Sequence, residues 1–154
     1  MTKLTDSEKH FLEQLEGFHS NSQERAILSF PTLWTDSQAH RKHIRKRVKE
    51  GSIENEWDYL LKTFEVLSHA EVFYIETYPK ELEIWTRTFY HRENSWAVVL
   101  GENGKILTSY KIRDDIIKTL EKHKVLFDSH YNRKEVSDEF SKTIKQIYER
   151  LTRV

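Results

Sequence analysis

The sequence of 154 residues contains no cysteine. That excludes disulfide scaffolds, thiolate zinc sites and any cysteine nucleophile. Glycine and proline are scarce, at four and two residues, so collagen-like and low-complexity chains are out. No apolar run approaches the ~20 residues of a membrane-spanning helix. The first segment, MTKLTDSEKHF, is charged and has no apolar stretch of the secretory type, which leaves a cytoplasmic protein as the expectation. A Gly-rich phosphate loop and a Gly-x-Ser-x-Gly elbow are both missing, which disfavours nucleotide hydrolases and serine hydrolases. An excess of either charge is missing too, with 25 Lys and Arg against 25 Asp and Glu.

What is present is enough aromatic bulk for one core, at 12% of the chain. The length fits a single domain, residues 1–154, at roughly 100–200 residues per domain. The neutral total hides a strong division. Residues 39–50 (AHRKHIRKRVKE) carry six Lys or Arg against Glu50 alone. Residues 84–113 are also net basic, whereas 1–38 and 51–83 are net acidic. Distribution, rather than the total, sets the field that an anion meets.

Periodicity predicts an α+β fold. Leu4, Phe11, Leu12, Leu15 and Phe18 lie near helical spacing, with Thr5 or Ser7 as the N-cap. Ser37 is positioned to cap a basic helix that runs to Glu50 and stops at Gly51. Trp57, Leu60, Leu61, Phe64 and Leu67 mark an amphipathic helix. The period then changes. Residues 71–78 and 82–91 are rich in β-branched and aromatic side chains, with Pro79 between them. The strand SWAVVLG, the turn GENG and the strand KILTSYK form a hairpin. Helical spacing returns over 114–125 and roughly 133–152. The expected order is N-terminal helices, an antiparallel sheet of about four strands, and C-terminal helices.

Two segments carry chemistry. On the basic helix, Ile44 and Val48 share a face and point to the core. Beside them His40, His43 and Arg47 form a second row, bordered by Arg41, Lys42, Arg45 and Lys46. Arginine binds phosphate in a planar fork, and imidazole exchanges protons near neutral pH, so the row suits phosphodiester cleavage. A lysine and arginine run is equally the ordinary solvated face of a helix, and the helix alone does not decide. A zinc site at His40 and His43 lacks an acidic third ligand nearby and the usual i, i+4 spacing, so no metal or other cofactor is expected. In the hairpin, Ile106, Thr108 and Tyr110 share one strand face and Leu107, Ser109 and Lys111 the other.

The order of these pieces resembles the barnase–EndoU–colicin–RelE group of small ribonucleases, in its phage-type and bacterial-toxin branches. The resemblance rests on His43-Ile44-x-x-Arg47, on Trp96-x-Val98-Val99, and on Gly104-Lys105-Ile106-x-Thr108-x-Tyr110. It covers residues 36–112, which makes 1–35 and 113–154 helical additions. It implies a metal-independent endoribonuclease, in which the ribose 2′-OH attacks to give a 2′,3′-cyclic phosphate. On that basis His43 is the general acid or base, Arg47 holds the phosphate, and Thr108 and Tyr110 orient phosphate or 2′-OH. His40 is a second catalytic candidate. Arg41, Lys42, Arg45, Lys46 and Arg87 would bind RNA. Members of the group often carry a second His directly after the helix Arg, where this chain has Val48. Either His40 replaces it, or the catalytic set is reduced. The alternatives are a non-catalytic RNA- or protein-binding module on the same fold, or a helix that docks on an acidic partner. RNA and an antitoxin or immunity protein are therefore the expected partners, with no membrane association.

Overall fold

The computed structural model describes residues 4–69, 73–77, 86–91, 95–111 and 132–154. Local chemistry sets each helix boundary. Helix α1 (Asp6–Gln14) opens with a capping box: Thr5 accepts from Glu8 N, and the Glu8 carboxylate takes the Thr5 N–H in return. Helix α2 (Gln23–Ser29) is capped by Ser22, and a 3-10 turn at Phe30–Leu33 carries Pro31. Helix α3 (Ser37–Glu50) is the basic helix. Its cap is Asp36 rather than the expected Ser37, with Oδ1 accepting from Ala39 N at 2.6 Å. It stops at Gly51, whose φ of 77° suits glycine at a helix C-terminus. Helix α4 (Glu56–Ser68) is capped by Asn55 and buries Tyr59, Leu60, Phe64 and Leu67.

The strands that follow are β1 (Phe73–Thr77), β2 (Thr86–His91), β3 (Trp96–Gly101), β4 (Ile106–Lys111) and β5 (Asn132–Glu135). They form one antiparallel sheet in the order β4-β3-β2-β1-β5. The α+β order thus holds: helices, antiparallel sheet, C-terminal helix. Among the described residues the sheet has five strands, not about four. The extra one comes from a segment expected to be helical. Residues 132–135 pair with β1, and helix α5 begins only at Asp138 (Asp138–Leu151), capped by Ser137. The helix expected over 114–125 lies outside the described residues.

The core sits between the sheet and the helices. Phe89, Val98, Leu100 and Ile106 belong to one buried cluster with Tyr59, Leu60 and Phe64 of α4 and with Phe140, Ile144 and Leu151 of α5. Phe140 stacks on Phe89 at 5.3 Å and meets Phe11 of α1 at 6.0 Å. The turn of the β3–β4 hairpin is pinned by α1. A Cβ on Gly104 would come within 2.5–2.8 Å of Phe11 N, His10 Cβ and Ser7 O, and its φ is 76°. Ser7 Oγ also donates to Gly101 O at 2.7 Å. No described helix is long and apolar enough to cross a membrane.

Candidate functional site

Strand β4 is an edge of the sheet, and an uncovered edge invites pairing with other chains. Here α3 and the residues before it cover it. Thr35 N donates to Ile106 O at 2.9 Å, and Arg47 Nε donates to Ser109 O at 3.1 Å. The Tyr59 hydroxyl donates to the same Ser109 carbonyl. The Ser109 side chain is a second junction, within 2.8 Å of both Trp96 Nε1 and Thr63 Oγ1. Ser109 was not singled out from the sequence. A lone serine in a strand carries no pattern, and four elements meet at it only in the folded chain.

This contact brings His43, Arg47, Thr108 and Tyr110 together. His43 Nδ1 and Thr108 Oγ1 are 3.4 Å apart, the outer limit of a hydrogen bond. The imidazole lies against the Trp34 indole, with ring centroids 5.6 Å apart and a 31° tilt. Arg47 Cζ stands 5.6 Å from the centre of the Tyr110 ring, within cation–π range. Its Nη1 lies 3.0 Å from each oxygen of Glu50. Arg47, expected to hold the phosphate, is thus an almost fully buried arginine engaged by Ser109, Glu50, Tyr59 and the Tyr110 ring.

Burial lowers the pKa of His43, and the cations Arg47, Lys46 and Lys42 lower it further against an opposing pull from Asp36. The ring is therefore neutral at pH 7 and able to accept a proton. Tyr110 moves the other way. Burial raises its pKa, partly offset by the Arg47 charge, so its hydroxyl stays protonated at neutral pH.

His40 is not part of this set. It is 1% exposed, edge-on to Phe30 and Trp34 at 5.1 Å, with neither ring nitrogen hydrogen-bonded. Glu56 Oε1 is 3.6 Å from its Nε2. Burial first, then His43 and Arg41, lower its pKa to about 4. The neutral ring makes that approach a dipolar contact rather than an ion pair. The second imidazole that could have replaced Val48 is a core residue. The expected inward pair also turns: Ile44 packs against the core, but Val48 is 44% exposed. The inward row of α3 is His40, His43, Ile44 and Arg47, because hydrogen bonds at β4 and aromatic contacts at Trp34 accept polar side chains there.

The remaining cations lie on the outward side of the helix, where Lys42 and Lys46 are still near enough to His43 to lower its pKa. Arg41, Lys42 and Arg45, with Gln38, line an open depression of about 560 Å³, and Lys46 is exposed beside them. Arg87 stands in β2 opposite Leu100, and its side chain lies outside the described residues. Of the strand motif, Gly104 is required by α1, Lys105 Nζ donates to Thr32 O at 2.9 Å, and Ile106 is fully buried. These three positions have structural reasons, and Thr108 and Tyr110 are the two of the motif that meet His43 and Arg47. His91, which ends β2, is buried and stacks on His69 with centroids 4.0 Å apart.

The chain belongs to the family described as "Uncharacterised protein aq_aa01", whose model matches residues 23–152. A relative of that name from Aquifex aeolicus (strain VF5) is 36% identical over 104 residues, covering 67% of this chain and 77% of the relative. No solved structure matches the chain. Neither description names a reaction, ligand or partner, so the chemistry has to be read from the site.

Proposed function

We propose that the chain is a metal-independent endoribonuclease of the barnase–EndoU–colicin–RelE type, acting in the cytoplasm on RNA held along α3. The observation that carries this reading is the convergence of His43, Arg47, Thr108 and Tyr110 on the α3–β4 contact. The exposed Arg41, Lys42, Arg45 and Lys46 would hold backbone phosphates. Neutral His43 takes the proton of a ribose 2′-OH, whose oxygen then bonds to phosphorus. The bond from phosphorus to the 5′-oxygen breaks as Tyr110, kept protonated by burial, supplies the proton that oxygen needs. Thr108 orients the imidazole, and Arg47 meets the charge that develops on the phosphoryl oxygens. As a toxin, such an enzyme would need a neutralising antitoxin or immunity protein, with acidic groups matched to the outer face of α3.

The second reading, a non-catalytic RNA-binding module, is favoured by one specific observation. His40 is in the core and Arg47 is already engaged, which leaves His43 as the one partly exposed imidazole on α3. One experiment separates the two. The purified protein is incubated with total RNA in EDTA, alongside His43→Ala. Cleavage to cyclic-phosphate ends that falls about 10²–10⁴-fold in the variant supports the enzyme. Binding without cleavage supports the module, and cleavage unchanged in the variant overturns the assignment of His43.

A further inference from the structure

Arg47 and Glu50 are unequally placed. The arginine side chain is 7% exposed and the glutamate 41%, so the pair joins a buried cation to a carboxylate that reaches water. Glu50 is also the last residue of α3, directly before the turn at Gly51. The pairing geometry is poor for these two groups. A guanidinium and a carboxylate fit best as a fork, through two parallel bonds from two nitrogens. Here both oxygens lie 3.0 Å from Nη1 alone. By contrast Nε is firmly placed, donating to the buried Ser109 carbonyl at 3.1 Å. One end of the guanidinium is anchored to the sheet, and the other is covered by a half-exposed anion.

We propose that Glu50 is a latch on Arg47, which the phosphodiester of a bound RNA displaces. This rests on the ribonuclease reading for the identity of the anion. The exchange keeps the guanidinium paired throughout, so no buried charge is left alone at any stage. The Glu50 carboxylate, at 41% exposed, is more easily displaced than a buried one. A polyanion also held by Lys42 and Lys46 can therefore outcompete it, whereas a small free anion lacks that help. Once released, the Glu50 carboxylate is repelled by the incoming phosphate and turns to solvent. The latch makes the free protein a poor binder of isolated anions and reserves Arg47 for a chain that already lies along α3.

The test is the affinity for an oligoribonucleotide carrying 2′-O-methyl groups, which cannot be cut by 2′-OH attack. Glu50→Gln should tighten binding about fivefold, the ceiling for a pair of this exposure. Glu54→Gln removes the same charge from an exposed neighbour with no bond to Arg47, and should change binding about twofold at most. In an Arg47→Ala background the gain from Glu50→Gln should shrink to the Glu54→Gln level, and Arg47→Lys serves if the alanine variant does not fold. Equal gains in the two glutamine variants, or a gain that survives loss of Arg47, overturns the latch. If no form binds the oligonucleotide, the RNA reading fails on its own, and inorganic phosphate becomes the probe. Tighter phosphate binding by Glu50→Gln than by Glu54→Gln then supports the latch, and equal binding overturns it.

Discussion

Helices α3 and α5 are the same length, 14 residues each, and both pack on the body of the protein with one face outward. They bury opposite kinds of side chain. Helix α5 turns in Phe140, Ile144, Ile147 and Leu151, spaced at four, three and four. Helix α3 turns in His40 and Arg47 as its buried residues. An apolar face is stabilised simply by leaving water, wherever it packs. A polar face is stabilised by partners that replace water, and for α3 these are the Ser109 carbonyl, Glu50 and the Trp34 and Tyr110 rings, although both ring nitrogens of His40 are without a hydrogen bond. The contrast separates a helix that builds the core from one that covers a sheet edge with polar side chains.

The largest effect should come from the apolar helix. Phe140→Ala removes a ring that stacks on Phe89 and touches Phe11, and should lower stability by about 3–5 kcal/mol in urea unfolding. A loss below about 1 kcal/mol would mean that α5 is not core, and the comparison would collapse.

The next effect should appear on α3, and only in acid. His40 has a folded pKa of about 4 against 6.5 for the free side chain. Above about pH 6.5 the ring is neutral folded or unfolded, and contributes no pH dependence. As pH falls from 6.5 to 4 the unfolded chain binds a proton that the folded chain refuses, so stability drops. The loss saturates below pH 4 at roughly 3 kcal/mol, since one proton withheld across each pH unit costs about 1.4 kcal/mol. His40→Leu should flatten this part of the stability profile relative to wild type. Parallel profiles would show that the ring titrates normally, and α3 would then lose its buried imidazole.

These two helices also show why some of the molecule was legible in sequence. The apolar spacing of α5 and α4 states which way they face, and Thr5 and Gly51 state where α1 starts and α3 stops. The hairpin around Gly104 was equally plain. Helix α3 was placed correctly at its Gly51 end and to within a residue at its start, where Asp36 rather than Ser37 is the cap. It was rotated, however, because Ile44 and Val48 were its only bulky apolar residues and the pattern took both as inward. Its true orientation depends on hydrogen-bond acceptors 62 and more residues away along the chain. The same holds for β5. Asn132-Arg133-Lys134-Glu135 has no strand signal of its own and becomes a strand only by pairing with β1. His43, Arg47, Thr108 and Tyr110 were readable as a set from their motifs. Glu50, Trp34 and Ser109, which hold them, were not, since each is commonplace until the fold brings it near.

The smallest effect on stability, and the sharpest test of what α3 is for, belongs to its outer row. Arg41 and Arg45 are exposed, line an open depression and make no hydrogen bond or ion pair to the described residues. Replacing either with alanine should move stability by no more than about 0.5 kcal/mol. If the helix lies along RNA, each replacement should still weaken binding, and reduce the slope of log affinity against log salt by about one. Stability and binding would then part company on one helix: the inner row decides folding and chemistry, the outer row only attraction. An unchanged salt slope in both variants would instead mark the outer face as an ordinary solvated surface. Helix α3 would then serve to cover β4 through His43 and Arg47, and nothing beyond it.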